Sequence, residues 1–357
     1  MPTVFFAYPG DLETPTGGYG YDRRIVSGLR ELGWQVRLVP LGDGFPYPAA
    51  ETLRGAADKL AALPDATLVV VDGLAFGVLD KAAATEAGRL RLVALVHHPL
   101  CLENGLDEEG AQALLKSERA ALRHVRRVIV TSPATAAQVH DLFAVPEERI
   151  TTILPGTDKP EPYARPSSDL ASDVVRLLSV GTIVPRKGYD LLFDALAGLA
   201  GPNSANWHLD IVGGKDADPA CYTALKKQIG ALGLDGRITF HGAVAQQRLP
   251  GFYRAAHVFV LASRYEGYGM AYTEALAHGL PVIGSGGGAV RDTLPEGAAI
   301  YCGTEDVAAL RAGLDRLIGH PEERARYETA ARQAAGALPD WTASSVRFAE
   351  TLREVAQ

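Results

Sequence analysis

The sequence predicts an α/β protein made of two doubly wound parallel-sheet domains that face each other across a cleft. Three observations carry this expectation. Short β-rich runs alternate with helix-like segments along the whole chain; the alternation breaks once, around 154–175; and it then resumes with the same rhythm. At 357 residues the chain is long enough for two separate cores.

The first alternation has strand-like runs at 4–7, 35–39, 67–71, 92–96, 127–131 and 149–153, with helical patterns between them at, for example, 21–32, 108–124 and 133–143. Leu154-Pro155-Gly156-Thr157-Asp158-Lys159-Pro160, followed by Pro162, Pro166, Ser167 and Ser168, reads as a linker. The second alternation has runs at 174–180, 208–212, 237–240, 258–261, 282–283 and 299–301. Three helical segments follow, beginning near Glu305, Pro321 and Thr342. Both halves are Rossmann-like, and ligands of such sheets bind beyond the carboxyl ends of the strands. A cleft between two domains is a favoured ligand site.

Composition narrows the class. The chain is 47% hydrophobic and 22% charged, with mean hydropathy near zero, as in soluble globular proteins. A net charge of −7 speaks against nucleic acid as a partner. Cys101, Cys221 and Cys302 are far apart and form no metal-binding spacing, which fits a reducing compartment. The N-terminus opens on a strand with no basic stretch or long apolar run, so a cytoplasmic protein without a signal peptide is expected.

The densest concentration of chemistry lies at 264–282, where Glu266 and Glu274 bracket Gly267-Tyr268-Gly269. The buried run 257–261 precedes it and a helix ending near Gly279 follows. Upstream, Gly181 closes a strand, and Arg186-Lys187 stand where the next loop feeds a helix. Two cations beside a helix N-terminus suit a diphosphate. In the first half, Gly17-Gly18-Tyr19-Gly20 follows the first strand without forming GxGxxG. Contact with a phosphate and a plain tight turn both stay open. His97 and His98 end the run 92–96, either as polar contacts at a cleft rim or as loop histidines bonded to backbone. Asp216-Ala217-Asp218 has a metal-binding look, but acidic residues before a helix read better as caps, and no metal is expected. Lys116, Arg119, Arg123 and Arg127 share a face if the helix reaches that far, either as a solvated stripe or as a peripheral contact with the inner membrane surface. Gly284-Ser285-Gly286-Gly287-Gly288 is a second glycine-rich loop.

With these residues in hand, the sequence resembles the retaining GT-B glycosyltransferases of family 4. The resemblance runs through the whole chain and is most specific at Glu266-x₇-Glu274 with its tail Glu-Ala-Leu-Ala-His-Gly-Leu-Pro-Val, supported by Pro185-Arg186-Lys187-Gly188 and 154–158. It implies transfer of a hexose from a nucleoside-diphosphate sugar to the hydroxyl of a glycan, a lipid-linked sugar or a small molecule, with no cofactor or metal required. Residues 1–157 would carry the acceptor and 174–335 the donor, with a helix at about 342–355 crossing back to the first domain. Glu274 would hold the ribose. Glu266, Gly267, Tyr268 and Gly269 would lie near the transferred sugar, Gly181 near the donor, and Arg186 and Lys187 on the diphosphate. Gly17 and Gly18 would complete that clamp, and His97, rather than His98, would contact the sugar. The sequence departs from the family at Gly181-Thr182, where many members have Gly-Arg, at Tyr268 for Phe, at Met270-Ala271 for Leu-Pro, and at 289–292, which lacks the usual Pro-Glu. Other readings on the same architecture are a nucleotide-sugar epimerase, another GT-B enzyme, a non-catalytic nucleotide-sugar binder and a dinucleotide oxidoreductase. The last lacks its glycine fingerprint.

Overall fold

The computed structural model describes residues 1–103, 105–161, 174–199 and 206–357. The linker residues Pro162, Pro166, Ser167 and Ser168 lie outside them. The chain divides into two compact units: Met1–Gly156 with Pro339–Gln357, and Thr157–Leu338.

The first unit holds a six-stranded parallel sheet of β1 (Thr3–Tyr8), β2 (Gln35–Pro40), β3 (Leu68–Asp72), β4 (Arg91–Val96), β5 (Arg127–Val130) and β6 (Ile150–Thr152). Their order is β2-β1-β3-β4-β5-β6. All of β3, and β4 apart from Arg91, is buried, as the unbroken apolar runs require of central parallel strands covered on both faces. The chain steps outward from β1 to β2 and then crosses back to β3. The order therefore reverses between β1 and β3, which opens a crevice at their carboxyl ends.

Two helices pack together against this sheet. Gly17–Glu31 begins at Thr16, whose hydroxyl accepts the Tyr19 N–H. Gly17-Gly18-Tyr19-Gly20 is thus the first turn of a helix and not a loop before one. The expected start at Tyr21 comes late because glycines score poorly as helix formers, although the first turn tolerates them once a cap is present. Tyr21, Asp22, Ile25, Val26 and Leu29 form the helix's buried face. The helix Trp341–Ala356 packs along Gly17–Glu31 in the same unit, where Gly28 leaves room for Ser345. Ser344 donates to the Leu154 carbonyl at 2.7 Å, and Arg91 reaches the Ala356 carbonyl.

The second unit contains β7 (Val174–Val180), β8 (Asn206–Val212), β9 (Ile238–Gly242), β10 (Val258–Leu261), β11 (Tyr265–Glu266), β12 (Val282–Gly284), β13 (Gly287–Gly288) and β14 (Ala299–Tyr301). Six of them form a parallel sheet ordered β14-β12-β10-β7-β8-β9, while β11 pairs with β13. Here the order reverses between β7 and β10. The Gly284–Gly288 stretch read as a loop therefore supplies a strand partner for Glu266.

One reading fails on geometry. The helix Glu108–Leu122 stops before Arg127, which lies in β5 and bonds the Glu148 carbonyl. The basic stripe consists of Lys116 and Arg119, with Arg123 as the C-cap. Among the described residues no helix is long and apolar enough to cross a membrane.

Gly188 tests how the turn after β7 is fixed. Its φ is +61°, and a Cβ there would lie 1.9 Å from the Ala262 carbonyl oxygen. Gly233 has a similar φ of +67° but open space around it. Gly188→Ala should therefore cost at least about 2 kcal/mol, from left-handed strain plus overpacking. Gly233→Ala should cost about 1 kcal/mol. Urea unfolding monitored by circular dichroism reads the difference; equal costs would contradict the close approach.

Candidate active site

In the second unit, the carboxyl ends of β7 and β10 lie next to each other at the reversal, and the loops leaving them carry the cations and carboxylates. Gly181 follows β7 and then the chain makes a short turn, Pro185–Lys187, capped by left-handed Gly188 before the helix Tyr189–Ala197. A Cβ on Gly181 would crowd the Lys187 stem at 3.3 Å, so the glycine lets that side chain lie across it. Tyr189 donates to the Gly181 carbonyl at 2.8 Å and holds the loop in place.

Lys187 reaches Glu266, with Nζ 2.6 Å from Oε1. Ser263 donates to the same oxygen at 2.5 Å. Arg186 Nη1 lies 3.4 Å from Glu266 Oε2 and donates to the Tyr265 carbonyl at 2.9 Å. Glu266 is 6% exposed, so burial alone would raise its pKa; Lys187 and then Arg186 outweigh that and bring it down to about 2. Glu266 is therefore a fixed anion. Three charged groups sum to one net positive charge at the strand ends.

Arg264 braces this arrangement. Its guanidinium grips Asp190 with two bonds, at 2.9 and 2.7 Å, and also bonds the Pro185 carbonyl and Glu305, each at 2.6 Å. Its backbone N–H donates to the Arg186 carbonyl at 2.8 Å. The turn bearing the cations is thus tied to the segment bearing Glu266 through both backbone and side chain.

Glu274 has a partner of its own. It projects from the helix Met270–Ala277 and accepts the Tyr253 hydroxyl at 2.7 Å. Tyr253 is 2% exposed and stacks on His278, with ring centroids 4.9 Å apart. Burial, followed by the charge of Arg254, lowers His278 to about 4, so its ring is neutral. Gly267 and Tyr268 bridge β11 to that helix, and the Tyr268 carbonyl accepts the Thr293 hydroxyl at 2.7 Å. Gly269 is the helix N-cap at φ +93°. Asp218 caps the helix Pro219–Ala231 through the Cys221 N–H at 2.9 Å, in keeping with the cap reading of that acidic pair.

The first unit gathers its own cluster at the β1/β3 reversal. His97, just after β4, places Nε2 3.1 Å from Asp22 Oδ1 and 3.6 Å from Asp72 Oδ2. Neither of the two sequence-level readings, cleft rim or backbone-bonded loop, included these carboxylates. Gly18 lies against the ring, where a Cβ would stand 3.4 Å from the imidazole. His98 is separate and bonds Glu103 at 2.9 Å. One ring nitrogen of His97 and one oxygen each of Asp22 and Asp72 lie within 4.8 Å of one another, close enough to share a metal ion.

The sequence reading missed Asp22, Asp72, Ser263, Arg264 and Tyr253. Asp22 did leave a signal, as a carboxylate one residue from Tyr21 and three from Ile25 on an apolar helix face. Asp72 ends an apolar run, which is where such sheets place ligand contacts.

Two family models tile the chain. Glycosyltransferase Family 4 matches residues 19–159, and Glycosyl transferases group 1 matches 162–334. The chain belongs to the family 4, group 1 glycosyltransferases. It is 35% identical over 182 residues to mannosylfructose-phosphate synthase of Agrobacterium fabrum, a match spanning 47% of this chain and 39% of that relative. Sucrose-phosphate synthase from Thermosynechococcus elongatus superposes with a TM-score of 0.83 at 22% identity, covering 99% of both chains. Anabaena Alr3699/HepE, solved with UDP and glucose, gives 0.77 at 19% identity, covering 99% of this chain and all of that one. At these identities the structures establish the GT-B fold.

Glu266→Gln would leave Lys187, whose side chain is 14% exposed, beside a neutral amide. We expect a loss of about 3 kcal/mol, or a Tm lower by roughly 6 °C or more, partly recovered when Lys187→Met is added. Differential scanning calorimetry measures this. An unchanged Tm in the single variant would show that the pair is not buried as described.

Proposed function

We propose that this chain is a retaining hexosyltransferase that moves a sugar from a nucleoside diphosphate to an acceptor hydroxyl. The observation that carries the proposal is the Arg186–Lys187–Glu266 group at the sheet reversal of the second unit. It presents a net positive charge fixed by a buried anion, at the place where open α/β sheets bind ligands. A departing diphosphate gains charge as the bond to the sugar C1 breaks, and pre-set cations stabilise that charge without reorganising.

In this reading Arg186 and Lys187 hold the diphosphate. Glu266 keeps both in place and lies near the sugar with Gly267, Tyr268 and Gly269. Glu274, held by Tyr253, takes the ribose hydroxyls, and Gly181 gives the donor room. Gly17, Gly18 and His97 of the first unit contact the donor's phosphate and sugar. The bonding electrons leave with the diphosphate, and the acceptor oxygen bonds C1 on the face the leaving group vacates. Its proton passes to the departing phosphate oxygen, so the anomeric configuration is kept. Family membership supports this stereochemistry, and the UDP and glucose in HepE support a nucleotide-sugar donor. Neither selects the base, the sugar or the acceptor. No metal has a role in the proposal.

A thermal-shift screen of UDP-, GDP- and ADP-sugars identifies the donor, since a ligand of the native state raises Tm. With that donor, Arg186→Ala combined with Lys187→Ala should lower kcat at least about 100-fold, the scale on which loss of a transition-state charge contact acts. Glu274→Ala should raise the donor KM at least about tenfold with a smaller change in kcat. Transfer should continue in EDTA. Near-normal kcat in the double variant would remove the diphosphate clamp, and inhibition by EDTA reversed by Mg²⁺ would remove the metal-free reading.

A further inference from the structure

The first unit contains a buried ionisable group that the proposed chemistry leaves undetermined. Asp22 is completely buried and Asp72 is 2% exposed, and His97 Nε2 faces both. Asp72 also accepts the Leu74 N–H at 2.7 Å through Oδ1. Asp22 Oδ2 is buried and has no hydrogen-bond partner among the described residues. The groups facing His97 can be named by element. The helix Gly17–Glu31 contributes Asp22 and the edge of the Tyr21 ring, at 5.4 Å between centroids. β3 contributes Asp72, and the residue after β5, Thr131, donates to the His97 carbonyl at 3.3 Å. Tyr21 is neutral, its hydroxyl donating to the Ile153 carbonyl at 3.2 Å.

No lysine or arginine pairs with either aspartate among the described residues, so His97 is their cation. With a neutral imidazole, two carboxylates would share a water-poor core with no cation beside them, or one of them would have to take up a proton; protonating the ring that faces both gives them a partner. Nε2–H must then donate to Asp22. Nδ1 has no partner among the described residues and is not sealed from solvent, the side chain being 19% exposed.

We propose that Asp22 and Asp72 are positioning residues that lock His97 as a doubly protonated imidazolium, leaving Nδ1–H as a fixed hydrogen-bond donor toward a substrate oxygen. His97 then acts as a charged donor and not as a general base. Burial pushes the His97 pKa down, but the aspartates outweigh it and hold it well above the usual histidine range; burial and Asp72 push Asp22 up. Above its ordinary range, about pH 6.5, an isolated histidine loses its proton, whereas His97 keeps its proton until pH passes its raised value. The role of Nδ1–H in transfer rests on the proposed function; the locked charge does not.

Long-range ¹H–¹⁵N correlation of the ¹⁵N-histidine-labelled full chain tests the charge, with His97→Gln assigning the signals. We expect both His97 nitrogens to be protonated from pH 6 to 8.5 in the wild type, and Asp22→Asn to return the ring to titration in the ordinary range. Asp72→Asn is the second variant if Asp22→Asn does not fold. In the transfer assay, kcat of the aspartate variant should fall about tenfold per pH unit above the restored pKa, with donor KM little changed, while the wild type stays flat. A neutral His97 at pH 7.5 in the wild type overturns the proposal. So does a stoichiometric divalent ion whose removal shifts the His97 signals, because Nε2 would then be a ligand. A locked imidazolium combined with unchanged kcat in His97→Gln would overturn the Nδ1–H contact in transfer and leave the electrostatic lock standing.

Discussion

The buried carboxylate of Glu266 is the constraint on which the second unit's site depends. A lysine and an arginine side by side at the end of a sheet would repel each other and turn toward water. Placing an anion beside them, held by Ser263 and kept from solvent, fixes both cations. The cost of burying Glu266 is offset only while the cations stay in place, so geometry and charge are linked. Arg264 extends that link to the backbone by tying the turn at Pro185–Lys187 to the segment carrying Glu266.

The two sheets reach comparable sites by different routes. The first reverses between adjacent strands β1 and β3, and the second between β7 and β10 after three strands. In each case two carboxyl ends diverge and leave space, and the loops filling it carry the charged residues. The signs are arranged oppositely. In the second unit a buried anion supports two cations, whereas in the first two buried anions support one imidazole. In both, carboxylates kept from water hold the basic side chains beside them, where an ion pair is screened least.

The architecture was legible in the sequence because parallel strands buried on both faces are written as unbroken apolar runs, such as 92–96 and 258–261. Arg186, Lys187 and Glu266 were legible for a similar reason, as charged residues in the short segments that follow such runs. The helical first turn at Gly17–Gly20 is hidden in the sequence because the cap at Thr16 outweighs poor propensity there, and a stripe through Arg127 does not form because the helix stops at Leu122. The partners stayed hidden where contact depends on distant segments. Asp22 lies 75 residues from His97, and Arg186 lies 80 from Glu266. Periodicity marks Asp22 as facing inward but does not say what it meets.

The central claim is that the cations supported by Glu266 recognise a diphosphate. Isothermal titration of UDP, GDP and ADP, each beside its monophosphate, addresses it most directly. The account predicts that, for the base that binds, the diphosphate binds at least about tenfold tighter than the monophosphate, a difference of about 1.4 kcal/mol. Lys187→Met should abolish that difference while leaving monophosphate affinity unchanged. Equal affinity for the two nucleotides in the wild type would contradict the account.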